Sequence, residues 1–383
     1  MPRRTCGFAL LLTAVASLTS AANDDVADLL KQVRAVGPQG AGAPAAREAC
    51  DRLVARGPSV LPALLEGMDT SDTVAANWLR CAFDRIVDEA TRKGGKGLDA
   101  DALLRFAKEQ KRQGRARRLA LDVVEELRPG TRTGLLRGWT DDPEFRHDAI
   151  EQALADLDRD KELPAEKRVA ALRKLFAASR DLSQSRAVAA KLKELAAPVS
   201  VADHFGFLRD WYVVGPFDAR GMKGFKNVYP PEEKVDLAAA YEGKEKKVGW
   251  KRYRSPEATA GLHVALVNLR EPLGDAEDAV AYAYTALEVS EAREVEFRGA
   301  ADDNLSVWVN GTRVFGFEEY RNGVRLDRHR FRARLKAGTN TVLVKVCQAP
   351  TDPAHTEPNW EFLLRICDAT GTGLLFKGAL PEK

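Results

Sequence analysis

The chain of 383 residues is 45% hydrophobic and 30% charged, which excludes a disordered protein and gives enough length for about two domains. Lys and Arg number 59 against 56 Asp and Glu, for a formal net charge of +3. Two of these positive charges, Arg3 and Arg4, lie in a segment that we expect to be removed. The remaining near-neutral balance indicates neither electrostatic nucleic-acid binding nor attraction to an anionic membrane.

The N-terminus is typical of a secretory signal peptide. Two arginines precede an apolar run from Phe8 to about Leu18, and small residues follow as far as Ala22. The run is too short to cross a membrane, and no later window reaches the ~18 consecutive apolar residues of a transmembrane helix. We therefore predict a signal peptide over residues 1–22, export to the periplasm or the extracellular space, and no transmembrane segment.

Four cysteines remain after the signal peptide, in a compartment that permits disulfides. If residues 342–347 and 360–367 form an antiparallel hairpin, Cys367 lies ~20 Å along the ladder from the position opposite Cys347, beyond disulfide reach. Cys50 and Cys81 lie on different predicted helices of one repeat. For that pair a disulfide and two buried free thiols are both open, and we favour the thiols.

Residues 23–198 are predicted to form a helical domain. The segment is rich in Ala, Leu, Arg, Asp and Glu, and its apolar residues recur at helical spacing. At an offset of 71 residues it aligns with itself, which brings Pro58 onto Pro129 and Leu64 onto Leu135. Two copies of one helical unit are therefore predicted, and the degenerate helical stretches around them leave the number of repeats open.

The stretches GPSVLPALLEGMDTSDTVAANWL and RPGTRTGLLRGWTDDPEFRHDAI resemble HEAT-like α-solenoid repeats. The second stretch keeps the Asp-Asp-Pro of that family and its arginine, here Arg146. Solenoid repeats bury their apolar faces against their neighbours and present a long surface. The resemblance implies an all-α domain that docks a protein partner, with a spacer that has no ligand of its own as the alternative.

Residues 201–379 are predicted to form a β-domain, because aromatic and β-branched residues alternate with polar ones between Gly, Pro and Asn turns. Asn310-Gly311 is the strongest hairpin signal, since a type I′ turn requires positive φ at both central positions. Strands with one apolar face pack as a two-sheet sandwich or jelly roll. The residues predicted to face its interior are Val295, Phe297, Leu305, Val307, Val309, Phe331, Ala333, Leu335, Val342, Val344, Val346, Phe362, Leu364 and Ile366.

The stretches FRGAADDNLSVWVNGTRVF, LKAGTNTVLVKV and WEFLLRICD resemble the galactose-binding-like jelly roll found beside catalytic domains in family 2 glycoside hydrolases and sialate esterases. The opening FLRDWYVVGPFDARGMKGFKNVYPPE is similar to the first strand and loop of such modules in large exported bacterial proteins. The resemblance implies either carbohydrate binding or a structural attachment role. The expected fold is thus a multidomain α and β protein, with an N-terminal helical array and a C-terminal sandwich.

Trp308 is the leading candidate for a ligand contact. It alternates with the interior residues Val307 and Val309, so it is predicted to point out of the sandwich. An outward tryptophan either stacks on a sugar or is covered by other parts of the protein, and we favour the cover. The polar candidates on the same side or in neighbouring loops are Asn310, Arg321, Asp327 and Asp302.

Asp302, Asp303 and Asn304 are adjacent at a predicted strand start. Their side chains offer the carboxylate and amide oxygens that Ca²⁺ prefers. The paired Asp also resembles the calcium-and-sugar motif of protective-antigen-type lectin domains, which implies a Ca²⁺-assisted sugar site. The alternative that we favour is a turn or loop cap, because no further ligands of the ion can be named.

Motifs of the common enzyme classes are not readable, among them the nucleophile elbow, the zinc-binding helix, the phosphate-binding loop and the dinucleotide fingerprint. The run KEKKVGWKRYR over residues 244–254 favours a solvated edge strand over a nucleic-acid site. We therefore expect a non-catalytic protein that binds a glycan or surface polysaccharide. The alternatives are a structural scaffold that binds only proteins and, less favoured, an accessory component of a glycoside hydrolase system.

Overall fold

The computed structural model describes residues 26–70, 72–258, 261, 263–320, 323–350 and 359–381. The predicted signal peptide and Arg321 lie outside these residues. The chain divides into two compact units, Met1–Lys161 and Glu162–Lys383. Helices and β-sheets are both present, as predicted. Within the described ranges, every helix is too short or too polar to cross a membrane.

The first unit is built from helices, some of which begin at a side-chain cap. Asp72 and Asp99 precede two of these helices, and each carboxylate accepts hydrogen bonds from backbone N–H groups of the first turn. The helices are α1 (residues 26–34), α2 (Ala43–Ala55), α3 (Leu61–Gly67), α4 (Thr73–Arg92), α5 (Ala100–Lys108), α6 (Gly114–Leu127), α7 (Thr131–Leu136) and α8 (Arg146–Arg159).

The offset found in the sequence recurs in the helices. The helices α2, α3 and α4 begin 71, 70 and 73 residues before α6, α7 and α8, respectively. Apolar residues from both copies, among them Leu64, Phe83, Leu121 and Phe145, share one core. The predicted pair of copies is therefore visible in the order and spacing of the helices.

Cys50 and Cys81 of this unit are both free thiols. Cys50 is buried in the core, where burial raises its pKa to about 11. Cys81 is exposed on α4, so the expectation of two buried thiols is wrong for Cys81. The reason is that Cys81 lies between the buried residues Leu79 and Ala82, next to exposed Arg80, on the solvent side of the helix.

The second copy holds an ion pair in the core. Arg117 and Asp142 lie 2.6 Å apart and are almost completely buried. Asp142 also accepts hydrogen bonds from the backbone N–H groups of Glu144 and Phe145. Burial alone would raise the pKa of Asp142, but these hydrogen bonds and the Arg117 guanidinium lower it below its usual value.

The second unit begins with helices and continues with strands. The helices are α9 (Ala165–Ala178), α10 (Leu182–Glu194) and α11 (Val201–Phe205), followed among the strands by α12 (Pro230–Glu233) and α13 (Arg270–Leu273). The change from helices to strands falls near residue 200, where the sequence changes character. The strands are β1 (Asp210–Asp218), β2 (Ala240–Glu242), β3 (Lys247–Gly249), β4 (Lys251–Arg254), β5 (Val267–Asn268), β6 (Ala279–Val289), β7 (Arg293–Ala301), β8 (Leu305–Val309), β9 (Thr312–Phe317), β10 (His329–Leu335), β11 (Gly338–Gln348), β12 (Glu361–Cys367) and β13 (Lys377–Gly378).

Two antiparallel sheets form a sandwich around one core. The larger sheet has the order β4-β1-β6-β11-β8-β9, with β13 also paired to β6, and the smaller has the order β10-β7-β12-β5. The strands β2 and β3 form a separate ribbon. The residues predicted to face the interior all lie in this core, with Ala333 half-buried at its margin, so the predicted strand faces are confirmed.

The hairpin considered for residues 342–347 and 360–367 is not the pairing in the structure. The strands β11 and β12 do not form a hairpin, because β11 pairs with β6 and β8 in the larger sheet and β12 pairs with β5 and β7 in the smaller one. Alternation of apolar residues determines which face of a strand is buried, but it does not determine which strand pairs with it. Cys347 and Cys367 are both buried free thiols. The Asn310-Gly311 hairpin is confirmed, since it joins β8 to β9 with φ values of 51° and 79°.

Candidate functional site

Trp308 lies in a row of side chains on the outer face of the larger sheet. Its register partner on β11 is Leu343, and the partner of Leu343 on β6 is Tyr284. The row continues to Tyr212 on β1 and to Arg313 on β9. Residues that face each other in this way on neighbouring strands have side chains in contact. Trp308 and Tyr284 therefore lie on either side of Leu343.

Residues 219–250, the covering segment, pack on this outer face. Trp308 is only 9% exposed as a result, which confirms the predicted outward direction and the cover that we favoured. Trp250 of the same segment is buried, and its ring contacts Tyr284 with 6.3 Å between centroids. The side chains of the covering segment that pack here are Phe225, Tyr229, Val235, Leu237, Tyr241, Val248 and Trp250.

A buried lysine joins the covering segment to the sheet. Lys345 on β11 is 2% exposed, and its ammonium donates to Glu232 at 2.7 Å and to the carbonyl of Asn227 at 2.6 Å. The hydroxyl of Tyr282 donates to the same carboxylate of Glu232. Glu232 thus balances the charge of Lys345, and carboxylate and carbonyl oxygens accept its hydrogen bonds. A buried ammonium requires both.

A cavity of about 210 Å³ remains between the covering segment and the sheet. Its floor is the row Tyr284, Leu343 and Trp308. One wall is the stretch 231–235 of the covering segment, which includes Glu233 and Lys234. The cavity also reaches the hairpin end of the sheet, where its lining residues are Gly311 and Thr341.

Polar and charged groups surround the aromatic floor of this cavity. Glu233 and Lys234 are exposed at its rim. The guanidinium of Arg313 lies 5.7 Å from the ring centroid of Trp308 and donates to Ser306 at 2.8 Å. Burial raises the pKa of Tyr284, so its hydroxyl stays protonated near neutral pH. We call this the Trp308 cavity.

Among the described residues, the polar candidates Asn310, Asp327 and Asp302 are not part of the lining of the Trp308 cavity. Asn310 precedes the lining residue Gly311, but its amide is used by the turn. Its oxygen accepts from the backbone N–H of Thr341 at 3.0 Å, and its nitrogen donates to Asn340 at 2.8 Å. Asn310 therefore shapes the end of the cavity through the hairpin.

Asp327 lies in the turn that precedes β10, within an ion-pair cluster. Its carboxylate accepts from Arg365 at 2.6 and 2.7 Å and from Arg298 at 2.8 Å. Burial alone would raise the pKa of Asp327, but Arg365 and Arg298 lower it below its usual value. The carboxylate is thus held by two arginines within the fold. Sequence reasoning missed Arg298 and Arg365, whose only signal was a charge beside the interior residues of each strand.

Asp302 and Glu361 form a pair of carboxyl groups at the ends of β7 and β12. Asp302 follows Ala301, and Glu361 precedes Phe362. Ala301 and Phe362 are partners in register. Burial, with a contribution from Asp303, raises the pKa of Asp302 to about 6. Burial and then the charge of Asp302 raise the pKa of Glu361 to about 7.

The three residues considered for Ca²⁺ have different surroundings. The carboxylate of Asp303 accepts from the backbone N–H of Ala349 at 2.6 Å. Asn304 is fully buried beside Cys347, whose N–H donates to the Asn304 carbonyl. Among the residues that the structure describes, no group of three or more His, Cys, Asp or Glu is arranged to hold a metal ion.

No protein-family model matches the chain, and no curated protein matches it. Its likenesses to solved structures are weak and partial. A GH2 β-galacturonidase from Eisenbergiella tayi bound to galacturonate is 11% identical over 42% of this chain and 24% of its own, with a TM-score of 0.23. A β-glucuronidase from Ruminococcus gnavus is 13% identical over 42% of this chain and 28% of its own, with a TM-score of 0.25. A family 35 carbohydrate-binding module from Clostridium thermocellum is 15% identical over 24% of this chain and 72% of its own, with a TM-score of 0.16. The chain spans about a quarter of the length of the two glycosidases.

Proposed function

We propose that the chain is an exported, non-catalytic binding protein whose sandwich is a galactose-binding-like jelly roll that recognises carbohydrate. The observation that supports this function is the Trp308 cavity, in which Trp308 and Tyr284 lie on one floor with charged groups at the rim. A sugar has the matching chemistry, since its ring carries an apolar face and its edge carries hydroxyl groups. Binding sites generally combine an apolar floor with a few placed polar groups.

The size of the Trp308 cavity favours a small ligand or the end of a chain. At about 210 Å³ it is below the ~300–1,000 Å³ of sites for drug-sized molecules. A single terminal sugar unit on Trp308 and Tyr284 would place its hydroxyls toward Glu233, Lys234 and Thr341. The preferred glycan is therefore one that offers chain ends rather than only long internal segments.

For the first unit we propose HEAT-like repeats that dock a protein partner. The recurrence of α2–α4 as α6–α8 supports the repeats, because stacked copies bury a shared core and leave a continuous outer surface. The glycan proposal for the sandwich is independent of this assignment.

The test is binding of the full chain to cellulose, chitin and xylan in pull-down, and to soluble arabinogalactan and polygalacturonate in affinity electrophoresis. Glu233→Ala is the first variant, since an exposed side chain can be removed without unfolding the protein. Glu242→Ala is its matched control, an exposed glutamate of the same covering segment outside the cavity. Tyr284→Ala tests the floor, and its fold is checked by circular dichroism.

We expect at least one glycan to bind, with about fivefold weaker binding by Tyr284→Ala, because loss of one aromatic contact costs about 1 kcal/mol. Glu233→Ala should weaken binding several-fold and Glu242→Ala should leave it unchanged. The proposal fails if the folded chain binds none of the five glycans, or if it binds one and the cavity variants behave like Glu242→Ala. Failure with all glycans would favour a protein-binding scaffold.

A further inference from the structure

A second and larger cavity lies at one end of the sandwich. It measures about 540 Å³, and none of its lining residues belongs to the Trp308 cavity. Its walls come from β1, from the turn between β2 and β3, from the connection between β5 and β6, and from the last residue of β11. The polar lining residues are Lys244, Glu245, Arg270, Asp275, Glu277 and Gln348.

Gln348 is the most informative of these residues. It is the last residue of β11, and its register partner is Ala279 on β6. It continues the alternation of Val344 and Val346, so it lies on the interior side of the strand. Gln348 is 4% exposed, and its Oε1 atom has no hydrogen-bond partner in the part of the chain that the structure describes.

An unpaired buried amide oxygen is unusual, because burial removes the water that would otherwise donate to it. A donor from outside the chain would satisfy it. Gln348 is itself one of the lining residues, so the residue that carries the unpaired oxygen belongs to the cavity wall. The volume of about 540 Å³ falls within the ~300–1,000 Å³ that ligand sites commonly have.

The charged groups of this cavity define the chemistry of the ligand. Arg270 donates to Asp275 at 2.6 Å, and Lys244 donates to the backbone carbonyls of Glu277 and Asp278. Both cations are thus engaged with acceptors of the protein. The lining carries three carboxylates, of which Asp275 is paired with Arg270, against two cations, and Gln348 adds an amide oxygen. The site therefore favours a ligand that donates hydrogen bonds and is not an anion.

We propose that this cavity is a second ligand site, which takes a small polyhydroxylated molecule that is neutral or carries an amino group. A hydroxyl or ammonium of the ligand donates to Oε1 of Gln348, and the carboxylate of Glu245 accepts from a second donor. The proposal concerns different residues from those of the Trp308 cavity. Either proposal can fail while the other holds.

The test is isothermal titration calorimetry of the full chain with three probes of similar size, glucose, glucosamine and glucuronate, at one ionic strength. Glucosamine should bind most tightly, glucose less tightly, and glucuronate at least tenfold more weakly than glucosamine. Gln348→Met keeps the side-chain length and removes the acceptor, so it should weaken binding of glucose and glucosamine about five- to tenfold. Glu245→Lys should weaken glucosamine several-fold, and exposed Glu242→Lys is its matched control.

A second readout needs no ligand. Since Oε1 of Gln348 lacks a donor, Gln348→Met should leave the melting temperature of the free protein unchanged or raise it. Tyr284→Ala should leave the affinities for the three probes unchanged, which separates this cavity from the Trp308 cavity. The proposal is overturned if no probe binds at millimolar concentration, if Gln348→Met binds as tightly as the natural chain, or if glucuronate binds best.

Discussion

Lys345 on β11 and Glu232 on α12 form an ion pair of 2.7 Å on the outer face of the larger sheet, where both are largely removed from solvent. The pair connects the covering segment to the sheet beneath it. Glu232 also lines the Trp308 cavity, so the ion pair fixes one wall of the proposed sugar site. The geometry of this site thus depends on a charge that the ligand need not touch.

Lys345→Ala should lower the free energy of unfolding of the second unit by about 3–5 kcal/mol, because it leaves the carboxylate of Glu232 buried without its cation. Urea denaturation followed by tryptophan fluorescence measures this change. Lys247→Ala removes an exposed lysine of the same segment, whose ion-pair distance to Glu242 is 3.6 Å, and should cost less than about 1 kcal/mol. A loss below about 1 kcal/mol for Lys345→Ala would show that the pair does not hold the covering segment.

In the first unit, Asp142→Ala should be far more destabilising than Asp51→Ala. Both carboxylates are paired with arginine at similar distances, 2.6 Å to Arg117 and 2.7 Å to Arg85. The first pair is buried and the second is exposed, so the expected losses are about 3–5 and 0–1 kcal/mol, respectively. Chemical denaturation monitored by circular dichroism at 222 nm reports the helical unit. Equal losses for the two variants would contradict the role of burial.

The carboxyl pair Asp302 and Glu361 makes stability depend on pH. Their pKa values are raised to about 6 and about 7, so folding favours the protonated forms. This contribution is fully present below pH ~4 and is lost as the pH rises to about 7. Glu361→Gln should therefore be neutral at pH 4 and should raise the free energy of unfolding by roughly 1 kcal/mol at pH 8, the shift being discounted for partial exposure. Unfolding curves at the two pH values test this, and an equal effect at both would refute the assignment.

Gly311→Ala should destabilise the β8–β9 hairpin by about 1 kcal/mol. Gly311 has a φ of 79°, and a Cβ added there meets no atom within 4 Å, so the cost comes from the backbone conformation alone. Gly378→Ala is the matched control, since its surroundings are equally open and its φ is not in the left-handed region. The two variants should differ in melting temperature by a few degrees. Equal melting temperatures would show that the turn tolerates a side chain.

The sequence was sufficient to predict features that depend on nearest neighbours along the chain. Alternation around Val307 and Val309 placed Trp308 on the outer face, and the dipeptide Asn310-Gly311 predicted the turn between β8 and β9. The pairing of β11 and β12 with other strands was not predictable in this way. Strand partners are set by contacts distant in sequence, and several registers bury the same apolar face.

The candidate site shows the same limit. Asp327 was a reasonable ligand candidate as an acidic loop residue, and only the three-dimensional structure reveals that Arg298 and Arg365 occupy its carboxylate. Similarly, nothing in the local pattern around Gln348 distinguishes a paired amide from an unpaired one. The apolar residues of the covering segment recur with little helical or strand periodicity. The sequence therefore predicted that Trp308 is covered, but not which residues cover it.

The buried pair of Arg117 and Asp142 is a chemical difference between the two helical copies. The position equivalent to Arg117 in the first copy is Ala46, which is also buried but carries no charge. A chimera in which residues 43–67 replaced residues 114–138 would put an alanine at the position of Arg117 and leave the carboxylate of Asp142 buried without its cation. The two copies therefore share the order of their helices but not this buried charge pair. Exchanging one copy for the other would require a change of the charged residues that pair within the core.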